Sequence, residues 1–261
     1  MNKISVVINT YNAEKFLTRV LDSVQAFDEI VICDMESSDN TITIAQSYDC
    51  KIVTFPNNNY KSAEPARNFA IQSASNRWVL VVDADELVTP ELREYLYRHI
   101  AKDNPSAGLY IPRKNFIVGR FMRSYYPDYI LRFFKRDGSY WSPNVHTMPT
   151  IDGAVEYIPK KRGELAFIHL ANDSYYDIIR KMNTYTENER IKRRKKYHFI
   201  QLFYMPAFRF IKRYFFKGGF REGKIGFIQA VIDANYIFYA LSKIQEDIEN
   251  EKSNKDIDKY L

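Results

Sequence analysis

The sequence is poor in cysteine, with only Cys33 and Cys50 in 261 residues. Two cysteines make neither a disulfide framework nor a metal motif. Cys33 closes an apolar run and reads as a small buried residue. The glycine signatures of phosphate cradles are also missing. No G-x-G-x-x-G and no G-x-x-x-x-G-K-[ST] occurs, which removes the main support for a dinucleotide fold or a P-loop. No glycine-rich loop follows the first apolar run, where a sugar nucleotidyltransferase would cradle a triphosphate. No uninterrupted apolar run approaches the ~18 residues of a membrane span. The opening Met1-Asn2-Lys3-Ile4 moves straight into a strand, so no signal peptide and a cytoplasmic location are expected.

What is present suits a folded chain. At 46% hydrophobic and 27% charged, the sequence can form one large domain or one domain with an appendage. Its net charge of +6 favours an anionic partner: nucleotide, nucleic acid or acidic lipid. Short apolar, β-branched runs recur at Ile4–Ile8, Glu29–Cys33, Lys51–Phe55 and Trp78–Val82. Runs of that length read as strands buried on both faces. Between them lie helical patterns: Ala13–Val24, with apolar positions at Phe16, Leu17, Val20, Leu21 and Val24, then Thr41–Tyr48, then Pro65–Ser73. This alternation predicts a doubly wound α/β sheet.

The strands end in chemistry. The first stops at Asn9-Thr10-Tyr11-Asn12, the second at Asp34, and the fourth at Asp83-Ala84-Asp85-Glu86. In extended chain, positions two apart share a face, so Asp83 and Asp85 are expected to project together. Carboxylates that close repel unless a cation sits between them. Mg²⁺ typically takes one or two protein carboxylates and fills its shell with water and phosphate oxygens. Ligands of open α/β sheets bind at these carboxyl ends. The bland alternative is that Asp83 or Asp85 caps the next helix, although Thr89-Pro90-Glu91 already looks like a helix start.

The segments Ile4–Asn12, Asp34 with Ser37-Ser38-Asp39-Asn40-Thr41, Ala66-Arg67-Asn68 and Asp83–Glu86 together resemble family 2 glycosyltransferases of GT-A fold. Leu131–Arg136, Val145-His146, Ile168-His169-Leu170 with Lys181 and Tyr185, and Gly218-Gly219-Phe220 through Gly226-Phe227 resemble the branch that holds lipopolysaccharide-core glucosyltransferases. The resemblance implies a GT-A (Rossmann-like) doubly wound mixed sheet. It also implies a metal-dependent, inverting hexosyltransferase that takes a sugar from a nucleotide diphosphate donor, UDP-linked by expectation. Asp34 would bind the nucleobase, with Thr10, Tyr11 and Asn12 lining its pocket. Asp83 would contact ribose or metal, Asp85 the metal, and His169 would complete a Mg²⁺ or Mn²⁺ site. Arg67 would neutralise phosphate. Asp39 reads equally well as a helix cap, Arg67 as a partner of Glu64, and His169 as a merely hydrogen-bonded imidazole. The branch usually has an acid directly after Val-His, suited to deprotonate the acceptor. Here that position is Thr147. His146 is the first replacement base, Asp128 the second, and Asp152 a third. Tyr125, Tyr126, Tyr129, Tyr140 and Trp141 offer faces for a sugar, half or more of them expected to be ordinary packing.

The expected organisation is a catalytic domain over 1–170, with a nucleotide-sugar half (1–90) and an acceptor half (91–170), then a helical basic and aromatic segment over 171–261. Ser174–Arg194 reads as a helix, Pro206 as a break, Ile225–Leu241 as packed or flat rather than spanning, and the tail from Gln245 as frayed. Cations mixed with aromatics over Lys192–Lys217 suit a membrane surface. A packed cap and a nucleic-acid patch are the alternatives. The expected partners are a nucleotide-sugar donor, a glycan or glycolipid acceptor such as lipopolysaccharide core or surface polysaccharide, and the inner face of the cell membrane, with no nucleic acid. The rival functions are a sugar nucleotidyltransferase and a non-enzymatic basic membrane- or nucleic-acid-binding protein.

Overall fold

The computed structural model describes residues 3–58, 63–142, 148–172, 174–193 and 197–257. The chain divides into two compact units. One is Met1–Phe116 with Tyr126–Ala171; the other is Ile117–Tyr125 with Asn172–Leu261.

In the first unit, β1 (Ile4–Thr10), α1 (Glu14–Val24), β2 (Glu29–Asp34), α2 (Thr41–Gln46), β3 (Lys51–Thr54), α3 (Glu64–Gln72) and β4 (Trp78–Asp83) alternate as the apolar runs predict. They are followed by β5 (Glu86–Leu87), α4 (Pro90–Ile100) and β6 (Gly108–Ile117). After β7 (Arg120–Phe121), which lies in the second unit, come β8 (Asp128–Lys135), β9 (Ser139–Tyr140), β10 (Thr150–Ile151), β11 (Val155–Tyr157) and β12 (Phe167–Asn172). The main sheet runs β3-β2-β1-β4-β8-β6-β12-β5. Its first four strands are parallel, β8 runs antiparallel to β4, and β6 runs antiparallel to β8. The sheet is therefore mixed, and its strand order reverses between β1 and β4.

Both faces are covered, which is why the strands carry no polar alternation. Ile4, Val6 and Ile8 join Leu17, Val20, Leu21 and Val24 of α1 and Leu92, Leu96 and Ile100 of α4 on one face. Val7, Val31, Val79 and Val81 meet Ala66, Ala70 and Ile71 of α3 on the other. The apolar stripe of α1 at i, i+3, i+4 and i+7 is fully buried. Each such side chain contributes about 1.5–3 kcal/mol relative to exposure. Thr89 starts α4 as expected: its hydroxyl accepts from Leu92 N at 3.2 Å, and Pro90 takes the first helical position. Asp83 and Asp85 are thus not its caps. Asp39 accepts from Thr41 N (3.0 Å) and from Glu14 N (3.1 Å), holding the starts of α2 and α1.

The second unit is helical: α5 (Tyr175–Arg193), α6 (Gln201–Ile211), a π-helical turn over Lys212–Phe216, a 3₁₀ turn over Gly219–Glu222, and α7 (Gly223–Ile257). Two expectations change here. Pro206 does not break the chain; it lies inside α6. It removes one backbone hydrogen bond, while Leu202 and Met205 pack against Ile237, Leu241 and Ile244 of α7. The tail beyond Gln245 is helical as far as Ile257, and Gln245 accepts from the Tyr197 hydroxyl at 2.8 Å. Gly226 has to be glycine, because a Cβ there would lie 2.0 Å from the Gly219 carbonyl oxygen. The stretch Gly219–Ser253 is long and apolar enough, by length and composition, to cross a membrane, and 33% of its most apolar window is buried within the protein. Asp233, inside that stretch, is not free: it takes Arg213 Nε at 2.6 Å and the Tyr125 hydroxyl at 2.8 Å.

Candidate active site

Register brings the polar strand ends together. Thr10 of β1 sits beside Asp34 of β2, and Asn9 beside Asp83 of β4. Asp34 is 2% exposed. Its Oδ1 accepts from Thr10 Oγ1 (2.8 Å) and Ser37 Oγ (2.6 Å), and its Oδ2 from Ser37 N (2.8 Å). A carboxylate has about four lone-pair sites, so one on Oδ2 stays available. Asn12, at φ +48, donates its N–H to Ser37 Oγ and accepts from Ser38 N through Oδ1. Asn tolerates that conformation better than most residues. The loops after β1 and β2 are thereby tied together, and Tyr11 is left 53% exposed beside them.

The acid cluster departs from the expectation that Asp83 and Asp85 share a face. The strand ends at Asp83, and Ala84 and Asp85 form a turn before β5, so the two carboxylates meet different partners. Asp83 Oδ1 pairs with Arg67 Nη2 at 2.9 Å, and Oδ2 with Arg132 Nη2 at 2.8 Å. Burial alone would raise this carboxyl, but Arg132 and Arg67 outweigh burial and hold it well below the usual carboxylate range. Both guanidinium groups lie over the Trp141 ring, at 4.6 and 4.9 Å from its centroid. Asn68 explains how the indole is held: its Oδ1 accepts from Trp141 N (2.8 Å) and its Nδ2 donates to Trp141 O. Adjacent residues of α3 thus grip the backbone and the ring of Trp141. Nε and Nη1 of both arginines are buried and have no acceptor among the described residues. Both oxygens of Asp83 thus face guanidinium groups, whereas Asp85 faces His169.

Asp85 belongs to a different set. Leu170 N donates to Asp85 O at 2.9 Å, and β12 pairs with β5 so that His169 lies opposite Glu86. This puts His169 Nε2 3.7 Å from Asp85 Oδ1. His169 Nδ1 lies 2.7 Å from Asn115 Oδ1, while Asn115 Nδ2 donates to Asp128 Oδ2 at 3.0 Å. An ionised carboxylate only accepts, so Asn115 presents its carbonyl to the imidazole. Nδ1 must then carry a proton, which leaves Nε2 as the ring nitrogen that faces Asp85. A carboxylate and a neutral imidazole are a suitable donor set for Mg²⁺ or Mn²⁺, whose remaining positions water and phosphate would fill. Among the described residues no group of three or more His, Cys, Asp and Glu side chains could hold a metal by itself. Asn115→Ala should therefore weaken Mn²⁺ affinity in the presence of UDP by 10- to 100-fold with little change in thermal stability. Titration calorimetry giving an unchanged affinity would remove Asn115 from this role.

The same chain of contacts surrounds Asp128, the second candidate base. Its Oδ2 also receives Arg113 Nε (2.9 Å) and Nη2 (2.7 Å). Burial would raise this carboxyl, yet Arg113 and Asn115 hold it below its ordinary value. So stabilised an anion is a weak proton acceptor. Arg113 continues to Glu86 Oε1 at 3.0 Å, and Glu86, fully buried, accepts from Asp83 N at 3.1 Å through Oε2. The sequence assigns no roles to Arg113, Asn115, Arg132 and Glu86, although Glu86 stands in the acid cluster and Arg132 in the Leu131–Arg136 segment. His146 and Thr147 lie outside the described residues. Of the aromatics expected to face a sugar, Trp141 instead supports the two arginines, the Tyr129 hydroxyl donates to Ile158 O at 2.8 Å, and Tyr140 is 58% exposed.

Acids and a threonine at the carboxyl ends of adjacent strands, next to the reversal of strand order, form the ligand-binding layout of open α/β sheets. A family model for glycosyl transferase family 2 matches residues 5–220. The chain belongs to that family, and its sheet is the GT-A arrangement anticipated for it. It is 29% identical over 252 residues to the lipopolysaccharide core biosynthesis glycosyltransferase LpsC of Rhizobium meliloti (strain 1021), covering 93% of this chain and 92% of that protein. It is 33% identical over 127 residues to the UDP-Glc:alpha-D-GlcNAc-diphosphoundecaprenol beta-1,3-glucosyltransferase WfgD of Escherichia coli, covering 46% and 50% respectively. Among solved structures, glucosyl-3-phosphoglycerate synthase from Mycobacterium tuberculosis with Mn²⁺, UDP and phosphoglyceric acid is 21% identical, covering 44% of this chain and 43% of that one at a TM-score of 0.36.

Proposed function

We propose that the protein is an inverting, metal-dependent hexosyltransferase. It takes a sugar from a UDP-linked donor and passes it to a hydroxyl of a lipid-linked glycan, of lipopolysaccharide-core or surface-polysaccharide type. It works peripherally on the cytoplasmic face of the cell membrane. The names of LpsC and WfgD support the acceptor class and, for WfgD, the donor. The observation that carries the reading is the Asp85–His169 pair, with Nε2 facing the carboxylate at 3.7 Å.

The geometry supports the roles of the described residues, and that of His146 rests on the sequence alone. The free lone pair of Asp34 suits a single N–H donor such as the uracil imide, with Thr10, Tyr11 and Asn12 around it. Asp83 meets the ribose, while Arg67 and Arg132, with their unsatisfied N–H groups, turn toward phosphate oxygens. A divalent cation held by Asp85 and His169 would neutralise charge on the departing diphosphate. His146 takes the proton from the acceptor hydroxyl as its oxygen attacks the anomeric carbon in line, and the sugar–phosphate bond breaks on the opposite side.

A thermal-shift panel tests the donor class. With Mn²⁺ present, UDP at 100-fold over its Kd should raise Tm by roughly 5 °C or more, and CDP, GDP or dTDP by less. A response only to a nucleoside triphosphate plus sugar phosphate, with pyrophosphate released, would identify a nucleotidyltransferase instead.

A further inference from the structure

Within the second unit, α6 and the π turn are packed inside out. Exposure recurs in adjacent pairs every four residues: Phe203-Tyr204, Ala207-Phe208, Ile211-Lys212 and Phe215-Phe216. Phe203, Phe208, Phe215 and Phe216 are 63%, 60%, 56% and 79% exposed. The opposite face holds the contacts: Leu202 and Met205 join the α7 cluster, and Phe210 packs edge-on to Phe227. A four-residue repeat overshoots one α-helical turn by about 40°. The π turn is wider, closed by Lys217 N donating to Lys212 O at 2.9 Å, and swings the repeat back. The exposed pairs therefore stay on one side from end to end.

The charge on this stretch has one sign. Between Tyr197 and Ile228 there are six cations, Arg209, Lys212, Arg213, Lys217, Arg221 and Lys224, and one acid, Glu222. Both oxygens of Glu222 are already used, by Ser124 N (2.8 Å) and Ser124 Oγ (2.7 Å). Lys212, Lys217, Arg221 and Lys224 are exposed among the phenylalanines. A second copy docking on this face would bring like charges together with no acid to offset them. An anionic lipid surface offers the complement: rings enter the headgroup–acyl boundary and cations meet phosphate. Asp233 of α7 is meanwhile held inside the unit by Arg213 and Tyr125, which opposes withdrawal of α7 into lipid.

We propose that the outward face of α6 and the π turn is a monotopic docking surface that lies in the plane of an anionic bilayer, while α7 stays packed in the protein and does not span. This deepens the glycolipid reading above and rests on it only for biological purpose. The test uses the full chain in flotation with phosphatidylglycerol-containing and pure phosphatidylcholine vesicles. The wild type should float with the first at low salt and far less with the second. The triple variant Phe203→Ser, Phe208→Ser, Phe215→Ser should lose about 100-fold in partition. Lys212→Gln, Lys217→Gln, Arg221→Gln and Lys224→Gln together should lose about fivefold per cation at low salt and converge with wild type at high salt. Mn²⁺-dependent release of UDP in the absence of vesicles should be the same in all three proteins. Flotation without UDP release would sink the catalytic reading and leave the surface standing; UDP release without flotation would do the reverse. The surface is also overturned if both variants float like wild type, if alkaline carbonate leaves the protein in the membrane pellet, or if the triple variant merely converts a dimer that ignores vesicles into a monomer.

Discussion

Asp85→Asn should abolish measurable sugar transfer, with a loss of about a thousandfold or more, while Tm stays within a degree or two of wild type. Asp85 is 29% exposed in a turn, and its side chain faces His169 Nε2 rather than the core. Asparagine keeps the shape and removes the charge on which a divalent cation depends. Groups that stabilise developing charge on a leaving oxygen are commonly worth 10²–10³ in rate, and losing a metal ligand compounds that loss. EDTA should reproduce the defect in wild type, and Mn²⁺ should restore wild type but not the variant. Full activity in Asp85→Asn, or wild-type activity that survives EDTA, would show that diphosphate departure is carried by Arg67 and Arg132 alone.

Asp83→Asn should do something different: destabilise the fold. Its carboxylate neutralises two guanidinium groups that are themselves nearly buried, at 7% and 9% exposure. Removing the anion strands both cations, which by comparison with other buried pairs costs about 3–5 kcal/mol. Restoring balance by adding Arg132→Gln should recover part of that loss, a coupling visible in a double-mutant cycle by urea denaturation. The pH dependence has a definite sign. Arg132 and Arg67 push the folded-state value of Asp83 below its unfolded value of about 3.9. Its contribution is therefore fully present above that pH and is lost as pH falls through the folded value. Asp83→Asn should flatten that acid limb. A variant as stable as wild type, with the same acid limb, would mean that the arginines are neutralised by something other than Asp83.

The parts of the fold legible in the sequence were those written in local pattern. Ile4–Ile8 and Trp78–Val82 read as strands because both faces are buried, and Thr89-Pro90 read as a helix start because a cap is a local hydrogen bond. The strand-end positions of Thr10, Asp34 and Asp83 followed from the same runs. The error over Asp83 and Asp85 came from extending strand geometry past the strand: the turn at Ala84-Asp85 exists because β5 must reach β12, more than eighty residues later in sequence. Arg113, Asn115 and Arg132 were silent for the same reason. Their partners are Glu86, His169 and Asp83, which sheet pairing alone brings near. Pro206 misled because a proline costs one hydrogen bond locally, and the α7 contacts of Leu202 and Met205 override it. The exposed face of α6 was half legible. Its composition was visible as cations among aromatics, but which side faced outward depended on packing against α7.

The central claim is tested most directly by mass spectrometry of the reaction itself. Purified protein, Mn²⁺, UDP-hexose and an envelope glycolipid extract should yield one glycolipid species heavier by a single hexose. UDP should be released in equal amount, and both products should vanish with EDTA. Release of UDP-hexose from hexose phosphate and UTP, or a hexose added equally well in EDTA, would contradict the account.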